Sequence, residues 1–230
     1  MPLHSLQRLS PTAVLGLWHL TEAPTELWPQ LPQAADYQAR MPATTDATRL
    51  AQWLAGRVLV HRLLAEFPQH FAADVRLHND ATGRPWLAGQ AQGLAVSLSH
   101  SGEWVAAVLA QGGRAGVDVE VIRDKARRLA GKFLAPDEWA AAQAATLAAP
   151  DQAASAHYTL LWSAKETLYK LAAQRGIIFK EQLLISGFAA QEAGEIPATL
   201  VLGAVHTRHS VCYHRPAPGY VLTYCHEPGL

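Results

Sequence analysis

The segment Gly116-Val117-Asp118-Val119-Glu120-Val121 alternates apolar and acidic residues without a break. Strict alternation is typical of a β-strand, in which successive side chains point to opposite faces. The carboxylates of Asp118 and Glu120 would then share one face, with their Cα atoms about 6–7 Å apart. Two interpretations stay open from this segment alone. The acids are ligands of one hard cation such as magnesium, or they belong to a half-exposed strand and face water.

A second segment, Trp162-Ser163-Ala164-Lys165-Glu166-Thr167-Leu168-Tyr169-Lys170, has helical character. Glu166 and Lys170 stand four residues apart, so they share a face of the helix, and an ordinary surface salt bridge would explain that spacing. Trp162 and Tyr169 place apolar rings close around the two charges, however. Because a partly buried acid and base need a further reason to be there, the segment is also a candidate functional site.

The order of the predicted elements favours an α+β fold. Helical periodicity runs from Asp46 to Glu66, and strands are expected at 94–100 and 104–110. A long helix at about 158–175 is followed by strand-like runs between 183 and 225. The order of a helix followed by strands therefore occurs twice.

This repetition predicts two similar α+β halves, a duplication within one chain. Setting Trp53 against Trp162 aligns the two long helices. We expect an N-terminal half, residues 1–115, and a C-terminal half, residues 116–230, packed face to face.

Several local features complete the prediction. A short strand is expected from Ala13 to Leu20, and the segment from Pro24 to Pro42 is expected to form loops with at most one helical turn. The long second helix is expected to begin near Tyr158 and to end at Gly176, a residue type that tolerates a left-handed C-cap.

Two polar turns could contact an anion. Ser97-Leu98-Ser99-His100-Ser101-Gly102 places hydroxyls and an imidazole at the end of a strand, and Arg84 lies in the stiff turn Gly83-Arg84-Pro85. Each turn is also explained by ordinary hairpin chemistry, so neither is decisive by itself.

Composition limits the possible partners. The 230 residues are 50% hydrophobic, with 19 basic and 19 acidic residues and a formal net charge of zero. A neutral chain gives no reason to expect nucleic acid or an anionic membrane as partner, and the first residues lack a leader pattern. We expect a cytoplasmic protein in which Cys212 and Cys225 are reduced thiols of a hairpin where they could face each other.

Taken in chain order, these segments resemble the signature of the surfactin-type 4'-phosphopantetheinyl transferases. The resemblance covers roughly residues 45–190, and its most specific elements are the G-V-D-V-E strand and the W-S-A-K-E-x-x-x-K helix. It implies a transferase that moves the phosphopantetheine group of coenzyme A to a serine of an apo acyl or peptidyl carrier protein and releases 3',5'-ADP.

The resemblance also implies roles for individual residues. Asp118, Glu120 and Glu166 match the family's ligands for Mg²⁺, with Mn²⁺ as a possible substitute. Glu166 is in addition the expected base, directly or through a water, and Lys170 is expected to contact the pyrophosphate. The remaining residues are expected to bind the nucleotide. Ser99 and His100 would contact its phosphates, and Arg84 stands where the family usually has lysine. Arg49, chosen over Arg40 and Arg57, would contact the 3'-phosphate.

The same resemblance places the carrier protein at residues 126–133, where Leu129 and Phe133 stand beside three basic residues. Within this family, the chain length and the internal repeat favour a monomer that imitates a dimer. Its N-terminal half would then contact the nucleotide phosphates, its C-terminal half would hold the metal site and the carrier-protein contacts, and the active site would lie in the cleft between the halves. Two other functions stay open: a non-catalytic coenzyme A-binding or interaction protein of the same fold, and another metal-dependent phosphoryl enzyme.

Overall fold

Helices and strands are mixed along the chain. The computed structural model describes residues 3–67, 75–89 and 93–228. The strands there are β1 (Leu3–Ser10), β2 (Ala13–His19), β3 (Arg76–Asn79), β4 (Pro85–Ala88), β5 (Leu94–Ser101), β6 (Trp104–Gln111), β7 (Arg114–Val121), β8 (Leu183–Ile185), β9 (Ala193–Leu202), β10 (Val205–His214) and β11 (Tyr220–Glu227). The α-helices there are α1 (Pro24–Leu27), α2 (Ala34–Gln38), α3 (Ala47–Leu64), α4 (Lys125–Arg128), α5 (Ala130–Phe133), α6 (Pro136–Thr146), α7 (Asp151–Ala172) and α8 (Phe179–Gln182). The prediction of an α+β fold is confirmed.

The contacts divide the chain into two units. The first comprises residues 1–115 together with the C-terminal residues from 226, and the second comprises Gly116–Cys225. Each unit has its own cluster of buried apolar side chains. An internal duplication and a site between the halves stay predictions.

In the first unit, helix α3 packs on a four-stranded antiparallel sheet of order β1-β2-β6-β5. The helix begins where expected, because the Asp46 carboxylate accepts hydrogen bonds from the N–H groups of Thr48 (2.9 Å) and Arg49 (3.2 Å). Gly16 of β2 lies directly beneath the helix, since a Cβ there would come within 2.8 Å of methyl carbons of Leu59 and Leu63. The missing side chain lets helix and sheet approach closely.

In the second unit, helix α7 packs on a five-stranded sheet of order β7-β11-β10-β9-β8. The helix is tied to β11 by buried hydroxyls. The Thr223 hydroxyl lies 2.8 Å from that of Ser163 and 2.7 Å from that of Thr167. These short polar contacts fix the rotation of α7, and so decide which of its faces meets strand β7.

The approach of β7 to α7 depends on Gly116. A Cβ at this position would overlap the carbonyl oxygen of Thr167 and lie 3.1 Å from the amide nitrogen of Leu171. Both of these atoms belong to the helix backbone, which cannot move aside like the end of a flexible side chain. Only glycine therefore allows the strand to pass the helix at this distance.

Several local predictions were wrong. Helix α7 begins at Asp151 rather than near Tyr158. Pro150 occupies its N-cap position, and the alanines that follow favour the helical conformation. The helix ends at Ala172, and its left-handed C-cap is Ala173, with φ of 60°. Gly176 also has a positive φ, of 73°, but it lies beyond the end of the helix.

The segment from Pro24 to Pro42 also holds more helix than expected: α1, a 3-10 turn at Trp28–Gln30, and α2. Cys212 and Cys225 are not joined in a disulfide, and they do not face each other across the hairpin, since Cys212 pairs with Tyr224. No helix in the described ranges combines the length and the apolar character needed to cross a membrane.

Replacing Gly116 with Ala should destabilise the protein by about 3 kcal/mol or more, because the added methyl group overlaps helix backbone. The free energy of unfolding in urea measures this. The matched control is Gly187→Ala, since a Cβ at Gly187 has no described neighbour within 4 Å, and this change should stay within about 0.5 kcal/mol. Equal stabilities of the two variants would contradict the close approach of β7 and α7.

Candidate active site

Strand β7 places two carboxylates as the alternation predicted. Asp118 is 4% exposed, and Glu120 is half-buried near the end of the strand. The intervening valines, Val117 and Val119, are fully buried. Asp118 is therefore held away from bulk water. In such a buried position an uncompensated charge is costly.

Helix α7 meets this strand with a lysine and a tryptophan. The Lys170 ammonium donates hydrogen bonds to Asp118 Oδ1 (2.8 Å) and to the carbonyl oxygen of Val117 (2.8 Å). The indole Nε1–H of Trp162 donates to Glu120 Oε1 at 3.0 Å. Each carboxylate of β7 thus has a donor from α7, and the partner of Lys170 is an acid of the strand.

Glu166 lies between these two donors on the helix, and it interacts electrostatically with the strand acids. Burial raises its pKa to about 7, and the charges of Asp118 and Glu120 contribute in the same direction. Lys170 acts oppositely and lowers the pKa. The structure therefore brings Asp118, Glu120, Glu166 and Lys170 into one electrostatic group. Its members come from two segments that are far apart in the sequence.

The group has the donors that magnesium prefers, but it is not a finished metal site. Across residues 3–67, 75–89 and 93–228, no three His, Cys, Asp or Glu side chains are arranged to hold a metal ion. The chemistry nevertheless fits, because Mg²⁺ takes hard oxygen ligands and usually only one or two protein carboxylates. Mutual repulsion among three carboxylates is also what a divalent cation relieves.

Sequence reasoning missed Lys165, which is the most completely buried charged side chain near the site, with 0% exposure. Its ammonium lies 2.6 Å from Glu138 Oε2, and it donates to the carbonyl oxygens of Phe133 (2.9 Å) and Phe179 (3.2 Å). Burial lowers the pKa of Lys165, and Glu138 opposes that shift. A sequence signal did exist, since Glu138 follows Pro136 at the start of a helix, where an acid commonly caps the first turn.

A cluster of aromatic rings surrounds Trp162, the residue that donates to Glu120. Trp162 contacts Phe133 edge to face, with centroids 5.1 Å apart, and stacks on Phe179 at 5.7 Å. Tyr169 adds a fourth ring, 5.5 Å from Phe179. The site thus has an apolar wall beside its charged group.

The other predicted contact residues belong to the first unit. Ser99 is half-buried and His100 exposed at the end of β5, and the turn beyond them is held by Gln52, whose amide donates to Gly102 O at 2.8 Å. Arg84 is exposed in the turn between β3 and β4 and lines a pocket of about 260 Å³. Their roles toward coenzyme A stay predictions.

A second pocket of the first unit, of about 390 Å³, contains Arg57 rather than Arg49. Arg49 is exposed on the first turn of α3, whereas Arg57 is 5% exposed. The Arg57 guanidinium lies 3.4 Å from the ring centroid of Trp53 and donates to Asn79 Oδ1 at 2.9 Å. Its Nε has no hydrogen-bond partner among the described residues.

Burial lowers the pKa of Arg57 to about 9, so the group is still cationic at neutral pH. The pocket also contains Arg40, Tyr37 and His78. The arginines and the aromatic rings suit an anionic ligand with an apolar part.

Known proteins with similar sequences identify the family. A model of the 4'-phosphopantetheinyl transferase superfamily matches residues 114–225. A Salmonella typhimurium (strain LT2) protein named 4'-phosphopantetheinyl transferase AcpT is 36% identical over 149 residues, 64% of this chain and 67% of that protein. An Escherichia coli (strain K12) protein of the same name is 34% identical over 130 residues, 56% of this chain and 59% of that protein. The chain belongs to the 4'-phosphopantetheinyl transferase superfamily.

The superfamily match contains the four residues of the electrostatic group as well as Lys165 and Trp162. Arg49, Arg84, Ser99 and His100 lie before it. Membership of the surfactin-type group within the superfamily stays a prediction.

The raised pKa of Glu166 predicts a pH-dependent instability. Because its folded-state pKa of about 7 lies above the ordinary 4.5, the folded protein binds more protons than the unfolded chain between these values, and stability falls as pH rises through this range. In metal-free buffer, Glu166→Gln should therefore be more stable than the wild type at pH 8 by about 1–3 kcal/mol, and this difference should shrink by pH 5.

Urea unfolding at both pH values measures the difference. The control is Glu181→Gln, a change at an exposed glutamate of α8, which should follow the wild type at both pH values. A Glu166→Gln variant that also follows the wild type would show that Glu166 titrates as in the unfolded chain.

Proposed function

We propose that the protein transfers the 4'-phosphopantetheine group of coenzyme A to a serine of an apo carrier protein and releases 3',5'-ADP. The observation that carries the proposal is the group formed by Asp118, Glu120, Glu166 and Lys170 within a chain of the phosphopantetheinyl transferase superfamily. Both AcpT relatives carry the name 4'-phosphopantetheinyl transferase.

The chemistry is a phosphoryl transfer. The serine hydroxyl oxygen forms a bond to the β-phosphorus of coenzyme A, and the bond from that phosphorus to the bridging oxygen breaks. The electron pair leaves with 3',5'-ADP, and the serine proton passes to Glu166, directly or through a water. Lys170 supplies positive charge to the phosphate oxygens, an interaction that requires it to leave or share its contact with Asp118.

Asp118, Glu120 and Glu166 would hold Mg²⁺, with Mn²⁺ as a substitute. A bound divalent cation supplies charge neutralisation at the pyrophosphate. The protein's part is to present carboxylate oxygens from two rigid elements, β7 and α7, whose spacing is fixed by Gly116.

For coenzyme A, the pocket around Arg57 supports a role for this arginine at an anionic group of the nucleotide. It is buried, stacked on Trp53 and still able to donate through Nε. Ser99 and His100 at the phosphates and Arg84 near the adenine remain part of the proposal on the strength of the sequence resemblance. Arg49, the sequence-based choice for the 3'-phosphate, is the alternative to Arg57.

The proposed partner is an acidic carrier protein, and the proposed setting is the cytoplasm, with the transferase acting as a monomer. Residues 126–133 carry Arg127, Arg128 and Lys132, of which Arg127 pairs with Asp151 at 3.0 Å. Local basic charge of this kind suits an acidic partner on a neutral protein. The thiol state of Cys212 and Cys225 is consistent with a reducing compartment.

We expect Asp118→Asn and Glu166→Gln to lower transfer by at least about 10³-fold while the fold is kept, because each removes a charge from the phosphoryl site. The protein is incubated with coenzyme A, Mg²⁺ and an apo carrier protein, and the mass of the carrier is measured by mass spectrometry. EDTA should abolish the mass gain, and Mg²⁺ should restore it.

The same assay separates the alternatives. Carrier that gains the phosphopantetheine mass supports transfer. Free 3',5'-ADP with unmodified carrier would indicate a hydrolase, and no product would indicate a binding protein. Full activity of folded Asp118→Asn would refute the site, and Glu181→Gln should retain wild-type transfer.

Arg57→Met should raise the KM for coenzyme A by about tenfold or more, since a charged hydrogen-bond donor is lost, and should change kcat much less. Arg49→Met is the matched variant at an exposed arginine of the same helix, and it should shift KM by less than about threefold. If the anion is the 3'-phosphate, Arg57→Met should lose the preference for coenzyme A over its 3'-dephospho form. A larger KM effect from Arg49→Met would favour the sequence-based choice instead.

A further inference from the structure

A buried ion pair lies next to the proposed site and takes no part in the chemistry derived above. Lys165 and Glu138 have side-chain exposures of 0% and 7%. Glu138 also accepts hydrogen bonds from the backbone N–H groups of Ala135 (2.7 Å) and Ile185 (2.6 Å). The pair thereby connects α6, α7 and the end of β8.

Stability alone is a poor reason for this pair. Moving two charges out of water is costly, and replacing a buried ion pair with apolar residues of similar volume is often neutral or stabilising. Every donor of the Lys165 ammonium nevertheless has a defined acceptor: Glu138 and the carbonyl oxygens of Phe133 and Phe179. Directional bonds of this kind specify geometry that apolar packing does not.

The two backbone segments that Lys165 holds carry the rings on either side of Trp162. Phe133 contacts the indole edge to face, and Phe179 stacks on it with an interplanar angle of 20°. The indole therefore lies between two rings whose main chains are anchored to one ammonium group, which fixes its plane.

The fixed indole in turn holds a carboxylate of the site, since its Nε1–H donates to Glu120 Oε1 at 3.0 Å. We propose that the Lys165–Glu138 pair and Trp162 are positioning residues that orient the Glu120 carboxylate, through the Phe133 and Phe179 segments, for the phosphoryl chemistry. This inference rests on the proposed function. None of the three need touch coenzyme A, because they act through Glu120.

The sharpest test is Trp162→Phe, which keeps an aromatic ring next to Phe133 and Phe179 and removes the N–H donor together with one ring of the indole. We expect kcat to fall about 10- to 100-fold, as for other residues that orient a ligand carboxylate, and the Mg²⁺ concentration for half-activation to rise. KM for coenzyme A should change less than threefold, and the melting temperature should change little. The matched control is Trp139→Phe, a half-exposed indole of α6 in the same unit, which should retain wild-type kcat at saturating carrier.

The ion pair is tested by Lys165→Met combined with Glu138→Leu, which removes both charges and so avoids a lone buried charge. Its kcat should fall by a factor similar to that of Trp162→Phe. The triple variant should show little further loss, because all three changes break the same connection. Losses that multiply in the triple variant, or that track the melting temperature, would overturn the proposal.

A readout independent of activity keeps this inference separate from the proposed function. The emission of Trp162 is isolated by subtracting the fluorescence spectrum of a Trp162→Phe variant from that of its parent protein. This difference spectrum should shift between the wild-type background and the Lys165→Met/Glu138→Leu background. An unchanged spectrum would overturn the positioning role even if transfer is confirmed, and a shifted one would support it even if the wild type transfers nothing.

Discussion

The backbone contact between strand β7 and helix α7 at Gly116 is the constraint on which the candidate site depends. The absence of a side chain allows the strand to pass against the helix main chain at Thr167 and Leu171. Side chains of the strand beyond Gly116 then face side chains of the helix: Asp118 accepts a hydrogen bond from Lys170, and Glu120 accepts one from Trp162. If the strand were displaced by the width of one methyl group, both hydrogen bonds would lengthen, and the electrostatic influence of the two acids on Glu166 would weaken.

The two lysines of the helix have different tasks, although only five residues separate them. Lys170 is partly exposed, with 25% of its side chain accessible, and it neutralises Asp118 at a place that solvent can reach. Such a lysine can exchange its partner for a phosphate. Lys165 is completely enclosed and bonded to three oxygens, so it cannot move without breaking several bonds. The first lysine suits chemistry with a substrate, and the second suits the support of neighbouring groups.

The periodicity of the sequence correctly predicted the elements that depend on neighbouring residues. The alternation in β7, the helix α3 with its Asp46 cap, and the strands β5 and β6 were confirmed, because each is decided by residues close in sequence. The partner of Lys170 was not predictable in the same way. A surface salt bridge with its i−4 neighbour Glu166 was one of the two interpretations of the sequence, but tertiary contact supplies Asp118, 52 residues away. Lys165 and Glu138 were missed for the same reason, since 27 residues separate two charges that pair only after α6 and α7 pack.

A similar local spacing produces opposite chemistry in the two units. In α3, Trp53 is followed four residues later by Arg57, whose guanidinium lies over the indole face. In α7, Trp162 is followed four residues later by Glu166, and the indole uses its edge, through Nε1–H, to hold Glu120. The negative face of an aromatic ring attracts a cation and its positive edge attracts an anion, so one residue type can organise either charge. The first arrangement provides positive charge suited to a phosphate, whereas the second provides carboxylates suited to a divalent cation. Similarity of spacing between the two helices therefore does not imply similarity of role.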